Sequence, residues 1–254
     1  MQDAFNYGIL EVTDHRPWPM PASPWIMTQT WHDLLFAHWP VDAAALGAKI
    51  PSGFELDLFE GQAWIGVVPF RMSNVGPRGV PALPWVSAFP ELNVRTYVRV
   101  GGTPGVYFFS LDAANPLAVG VARTLIHLPY YSASMQVETR DGWVHYNSRR
   151  IPSSGNPAEL VGRYRPTGDA HAPLDGTLEH FLTERYCLFT VDRTFRAHRL
   201  DIHHPPWPLQ PAEAELTVNT MADAAGIRLP GIAPLLHFSL RQDMVGWMLT
   251  PVST

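Results

Sequence analysis

Glu91-Leu-Asn-Val-Arg-Thr-Tyr-Val-Arg-Val100 alternates with period two. Because successive side chains of a strand point to opposite faces, Leu92, Val94, Thr96, Val98 and Val100 form one side, and Glu91, Asn93, Arg95, Tyr97 and Arg99 the other. In an ordinary sheet the polar side faces solvent. In a barrel it can line the interior instead, while the apolar side packs outside on helices or a partner. The alternation leaves both arrangements open, and the fold turns on which one holds.

Downstream, Gly101-Gly-Thr-Pro-Gly105 is a turn, and residues 106–111 return as a second strand. A strand rather than a helix follows the glycines, so this is a hairpin corner and not a phosphate-binding loop. Asn115 and Pro116 supply an N-cap and a first-turn proline for a helix over residues 117–127. That helix stops at Leu128-Pro-Tyr-Tyr131, a corner that aims Tyr130 and Tyr131 at whatever cavity lies beyond it. Residues 132–138 and 143–148 form a hairpin about Asp141-Gly142, residues 151–156 a polar loop, and residues 159–165 a further strand. After a loop over 166–176, residues 177–186 read as a helix with Leu178, Phe181 and Leu182 on one face; Glu184 and Arg185 at its end could meet each other or the pocket, but a helix-end charge pair is usually solvated, and that reading is preferred. Residues 187–192 and 195–202 make the next hairpin, and 213–219 a strand. Thr220 caps a short helix to Ala225, and 235–249 closes the fold.

Upstream, residues 1–24 contain Arg16-Pro-Trp-Pro-Met-Pro-Ala-Ser-Pro24. Its prolines lack backbone donors, so an extended arm is expected, pinned by Trp18 and Trp25. Residues 26–39 read as a strand ending at Pro40, followed by a helix over 43–50 that Asp42 caps and Pro51 stops. Residues 54–59 and 62–72 flank Glu60-Gly61 as a hairpin, with Pro69 marking the second strand as edge or bulged. Residues 73–90, rich in proline, read as a long loop in which Trp85 and Phe89 either form a lid or, at least as readily, simply pack an irregular crossing.

Composition narrows the partners. The 254 residues are expected to form one domain, 1–254, whose 46% hydrophobic content, with 12 Phe, 9 Trp and 8 Tyr, supplies a large aromatic core. A net charge of −5, with both signs interspersed, offers no basic stripe for nucleic acid. Without a long apolar run or a signal peptide, no membrane association is expected and a cytoplasmic location is the default. Cys187 is the single cysteine and sits in an apolar run, so it reads as a buried, inert thiol. A homo-oligomer stays open.

From Gly105 to Met135 the sequence resembles the acetoacetate decarboxylase-like superfamily, in which a strand, loop and helix lead to a Phe-Pro-Lys-Lys corner preceded by an arginine on the helix. Here Arg123 stands at the arginine position and Leu128-Pro129-Tyr130-Tyr131 at the corner. Phe89-Pro90-Glu91 is similar to the segment that carries the decarboxylases' active-site glutamate, which favours the polar side of the first strand pointing inward. Over nearly its whole length the chain looks still more like a bacterial family of unknown function related to this superfamily. The stretches that carry this are Trp39-Pro-Val-Asp42, Phe89-Pro-Glu-Leu-Asn-Val-Arg-Thr-Tyr97, Phe181-Leu-Thr-Glu-Arg-Tyr-Cys187 and Ile202-His-His-Pro-Pro-Trp-Pro-Leu209. The fold that the resemblance implies is α+β, mainly antiparallel β: a closed or partly closed barrel with a few short helices outside.

The decarboxylase chemistry needs an amine for a Schiff base and a second cation to lower its pKa. Both corner positions are tyrosine here, and a phenol, with a reference pKa of about 10, cannot form an imine. Lys49 is the single lysine, on a distant helix end. The expectation is a small-molecule pocket for a carbonyl- or carboxylate-bearing ligand, with Arg95 as anion contact and Asn93, Tyr97 and Tyr131 in the wall. The alternative is an enzyme without a Schiff base, such as a hydratase, lyase or isomerase of oxo acids, with Tyr130 as acid and Glu91 as base. His203 and His204, adjacent on an extended strand, point to opposite faces and cannot readily share a metal; His203 is placed with the ligand contacts. No metal and no cofactor are expected.

Overall fold

The computed structural model describes residues 4–80, 87–115 and 126–253. In chain order the strands are β1 Met27–Val41, β2 Glu55–Leu56, β3 Ala63–Pro77, β4 Phe89–Val100, β5 Thr103–Ala113, β6 Tyr130–Arg140 and β7 Trp143–Arg150. They continue with β8 Glu159–Pro166, β9 Cys187–Val191, β10 Ala197–His203, β11 Gln210–Asn219, β12 Leu235–Gly246 and β13 Thr250–Pro251. Two short helices are described, α1 Ala43–Gly47 and α2 Leu178–Thr183. None is long and apolar enough to cross a membrane among the described residues.

Strand pairing closes on itself, as the resemblance implies. β4, β3, β1, β12, β10, β9 and β5 form a ring in which β5 and β9 run parallel and the other neighbours antiparallel. A second circuit leaves this ring at β5, passes through β6, β7, β8 and β11, and rejoins it at β12. The result is a mixed, mostly antiparallel barrel with a second curved layer lying on one flank.

This second layer decides the question that the alternation of β4 left open. Leu92 and Val94 pack with Leu35, Ile65 and Val67 against Val144, Tyr146, Leu160 and Tyr164 of the added layer. With the apolar side covered by strands, the polar side turns into the ring, and Glu91, Asn93 and Arg95 line its interior.

Several boundaries differ from the sequence reading, each for a physical reason. β1 runs through Pro40 because pairing with β12 has ended at His38; Pro40 then faces β3 on one side alone, where a missing donor is tolerated. β2 pairs with β4 rather than with β3, because both edges of β3 are taken by β1 and β4; a single bridge, Phe59 to Gln62, remains of the expected hairpin. β3 extends into the expected loop as far as Pro77, held by the first residues of β1. Its Pro69 does lie opposite a bulge, where the register against β1 shifts between His32 and Ala37 and Asp33 takes φ 48°.

The N-terminal arm includes a 3-10 turn, Tyr7–Glu11, that buries Ile9 against Val245 and Trp247. Residues 117–125 of the expected helix, with Arg123, and Trp85 lie outside the described residues; Ile126 and His127 are described and are not helical, His127 taking φ 54°, and Phe89 begins β4 and is buried.

Candidate functional site

The ring encloses a cavity of about 110 Å³, somewhat below the roughly 150 Å³ that can hold a benzene ring. Most of its wall is apolar and comes from the inward positions of the strands, among them Trp31 and Leu34 of β1, Phe70 of β3, Phe108 and Leu111 of β5, and Leu188 of β9. Among the polar groups that enter this wall, two sets on β4 stand out.

At the first, the corner before β6 presents Tyr130 to β4. Tyr130 is held by parallel pairing with Leu111, and its hydroxyl donates a 3.0 Å hydrogen bond to Glu91 Oε2. Both side chains are buried. Burial pushes the Glu91 carboxyl up to about 8, against the opposing effect of the Tyr130 hydrogen bond and with a smaller push from Asp112. Burial, then the nearby Glu91, raises the Tyr130 phenol well above its ordinary range. A carboxyl poised near neutrality beside a proton-bearing hydroxyl can accept or donate a proton at physiological pH.

At the second place, Asn93 and Arg95 continue the inward face of β4 toward α2. Arg95 Nη2 donates to the Leu182 carbonyl at 3.0 Å and lies 3.5 Å from the Tyr97 hydroxyl, while its guanidinium stacks over Phe36. No carboxylate pairs with Arg95 among the described residues. Arg95 Nε and Asn93 Oδ1 are buried there without a hydrogen-bond partner.

Three expected wall residues stand elsewhere. Tyr131 points to the opposite face of β6 from Tyr130, as alternation demands, and lies under the Arg150 guanidinium at 3.8 Å. Tyr97 is buried just past the cavity, donating to the Leu182 carbonyl at 2.7 Å and meeting His38 Nε2 at 2.6 Å, so it braces Arg95 rather than lining the wall. His203 is taken by the N-terminal arm, through the Ile9 carbonyl at 2.8 Å and Arg16 Nη1 at 3.2 Å. Its neighbour His204 faces the cavity instead, with desolvation holding it neutral, down to about 4. His204 Nδ1 lies 2.8 Å from the Pro205 carbonyl and 3.2 Å from Gln242 Nε2, and its Nε2 lies 3.3 Å from the Arg185 carbonyl.

The largest departure concerns Glu184 and Arg185, expected in solvent. Both are buried, and they do not pair with each other. Glu184 accepts from the Trp207 amide at 2.8 Å and from the Tyr186 hydroxyl. Arg185 lines the cavity and pairs with buried Asp57 at 2.6 Å. These pulls end α2 at Thr183, short of the expected Tyr186. A signal for Arg185 was present: in an extended segment it shares a face with Cys187, itself in an apolar run.

The chain matches the family model DUF2071, described as an uncharacterized conserved protein, over residues 28–243. It is 49% identical over 230 residues to the uncharacterized protein YqjF of Bacillus subtilis (strain 168), covering 91% of this chain and 94% of that protein. In three dimensions it is similar to acetoacetate decarboxylase from Legionella pneumophila subsp. pneumophila str. Philadelphia 1, with a TM-score of 0.58 at 16% identity over 100% of this chain and 98% of that one. It is also similar to the enduracididine biosynthesis enzyme MppR complexed with the condensation product of pyruvate and imidazole 4-carboxaldehyde, with a TM-score of 0.63 at 10% identity over 91% and 90% of the two chains. At these identities the structural likeness is one of fold.

Proposed function

The chain belongs to the DUF2071 family of uncharacterized conserved proteins, and we propose that it is a small-molecule-binding barrel for a short carbonyl- or carboxylate-bearing ligand, without Schiff-base decarboxylase activity. The observation that carries this reading is Arg95, a cavity-lining guanidinium with no carboxylate partner among the described residues. A cation in an apolar cavity is costly unless a counter-charge meets it, and a ligand carboxylate meets that need. The names of the two structural neighbours, one a decarboxylase of an oxo acid and one complexed with a pyruvate-derived product, point the same way.

Against imine chemistry stands the position of Lys49, which is exposed beyond α1 with Nζ beside Gly226. Borohydride added with candidate keto acids should trap no adduct on Lys49; a trapped adduct would overturn that part. For binding, isothermal titration of pyruvate against the wild type and Arg95→Ala is the test. Loss of binding in the variant supports the reading, and equal binding by both proteins would remove Arg95 from it.

The Glu91–Tyr130 hydrogen bond favours a second reading, an enzyme that hydrates, cleaves or isomerises oxo acids with Tyr130 as acid and Glu91 as base. It requires turnover that disappears in Tyr130→Phe; turnover kept in that variant would exclude this assignment.

A further inference from the structure

Around the α2 end of the cavity the charges do not balance. Asp57 accepts from Arg185 Nη1 at 2.6 Å and from Arg99 Nε at 2.8 Å, so one carboxylate serves two guanidiniums. Arg95 adds a third guanidinium and brings no acid with it. Arg95 and Arg185 both pack against the Tyr97 ring, their guanidinium carbons 5.7 and 4.9 Å from its centre. Each is also fixed by a carbonyl at the end of α2, Arg95 by Leu182 and Arg185 by Phe181 at 2.7 Å. Arg185 Nη2 is buried with no hydrogen-bond partner among the described residues. Two cations in one apolar cavity wall repel each other, and an anion that met both would relieve that cost.

We propose that Arg185 is a second anion contact of the cavity, and that a single carboxylate of a short oxo acid bridges Arg95 and Arg185. This rests on the oxo-acid reading above and adds its second anchor. The carboxylate seats at the α2 end, where both guanidiniums can donate to it. The carbonyl then points along the cavity toward Glu91 and Tyr130. The two places are electrostatically separate. Glu91 is governed by its burial, Tyr130 and Asp112, whereas Arg185 is governed by its burial and by Asp57, Tyr97 and Arg95. A cavity of about 110 Å³ favours a small ligand with its acid and carbonyl on neighbouring carbons.

The test is pyruvate titrated into the wild type, Arg95→Ala, Arg185→Gln and Asp57→Asn. Arg185→Gln should weaken binding by about tenfold or more, the worth of one charge-assisted hydrogen bond. Asp57→Asn removes the competing carboxylate and should tighten pyruvate binding several-fold, a gain that loss of folding cannot mimic. Circular dichroism establishes which variants are folded; if Arg185→Gln is not, Arg185→Lys, which keeps the charge beside Asp57 but loses the planar set of donors, replaces it with the same expectation. Pyruvate bound by the wild type and lost in Arg95→Ala, with affinity unchanged in the folded Arg185 variant, would overturn the role of Arg185 and leave the oxo-acid reading standing. No pyruvate bound by the wild type would overturn both.

Discussion

Tyr130 and Glu91 meet inside the barrel through a 3.0 Å hydrogen bond, although 39 residues separate them in the chain. Their contact joins β6 to β4 across β5, at the point where the second strand circuit leaves the ring.

Stability should depend on pH through Glu91. Its carboxyl rises on folding from an ordinary 4.5 to about 8, so between these values the folded state holds a proton that the unfolded chain releases. The stabilising contribution of the protonated form is therefore complete below pH 4.5 and lost as pH rises through about 8. The loss across that window is on the order of a few kcal/mol. Urea denaturation from pH 5 to 8.5 should show the wild type weakening relative to Glu91→Gln, which cannot titrate. Parallel curves would mean that Glu91 ionises freely in the folded protein.

Tyr130→Phe removes the hydroxyl that steadies the Glu91 carboxylate. It should cost about 1–2 kcal/mol and move the Glu91 transition to higher pH, both readable in the same denaturation series. Tyr131→Phe, on the opposite face of β6, should leave pyruvate affinity unchanged; a weakened titration would place Tyr131 in the wall after all.

Arg150 and Asp112 form a two-pronged ion pair at 2.7 and 2.8 Å, with side chains 2% and 0% exposed. Deleting one partner strands the other charge, so Arg150→Met should destabilise by about 3–5 kcal/mol, measured by chemical denaturation. A loss under about 1 kcal/mol would show that water reaches Asp112.

Gly162 of β8 faces the register shift of β11 between Leu216 and Val218. A Cβ at this position would come within 2.6 Å of the Glu215 carbonyl oxygen, which is backbone and cannot rotate away. Gly162→Ala should lower stability by about 1–3 kcal/mol in the same assay, while the larger opening at Gly231 should accept alanine without loss.

Cys187 is buried and its thiol is pushed up to about 12 by desolvation. Ellman's reagent at pH 8 should react with it only after urea is added; prompt reaction in the native protein would contradict its burial.

Much of the architecture was legible along the chain. The Asp141-Gly142 hairpin, the Asp42 cap, the bulge at Pro69 and the alternation of β4 are local properties, set by side-chain period, backbone freedom and missing donors, and local rules reach them. The Tyr130–Glu91 contact itself came within reach through the family resemblance, which puts both residues at a shared pocket.

What local rules could not supply was which neighbour covers which face. Residues 91–100 carry the same two faces in a solvent-exposed sheet and in a barrel; the layer formed by β6, β7, β8 and β11 covers the apolar one and so turns Glu91, Asn93 and Arg95 inward. The choice between His203 and His204 depends on the N-terminal arm reaching His203 from 194 residues away. The burial of Arg185 depends on Asp57, 128 residues distant, being there to pair with it. Charge and alternation are written residue by residue, but a counter-charge or a covering strand is delivered by chain that is close only after folding.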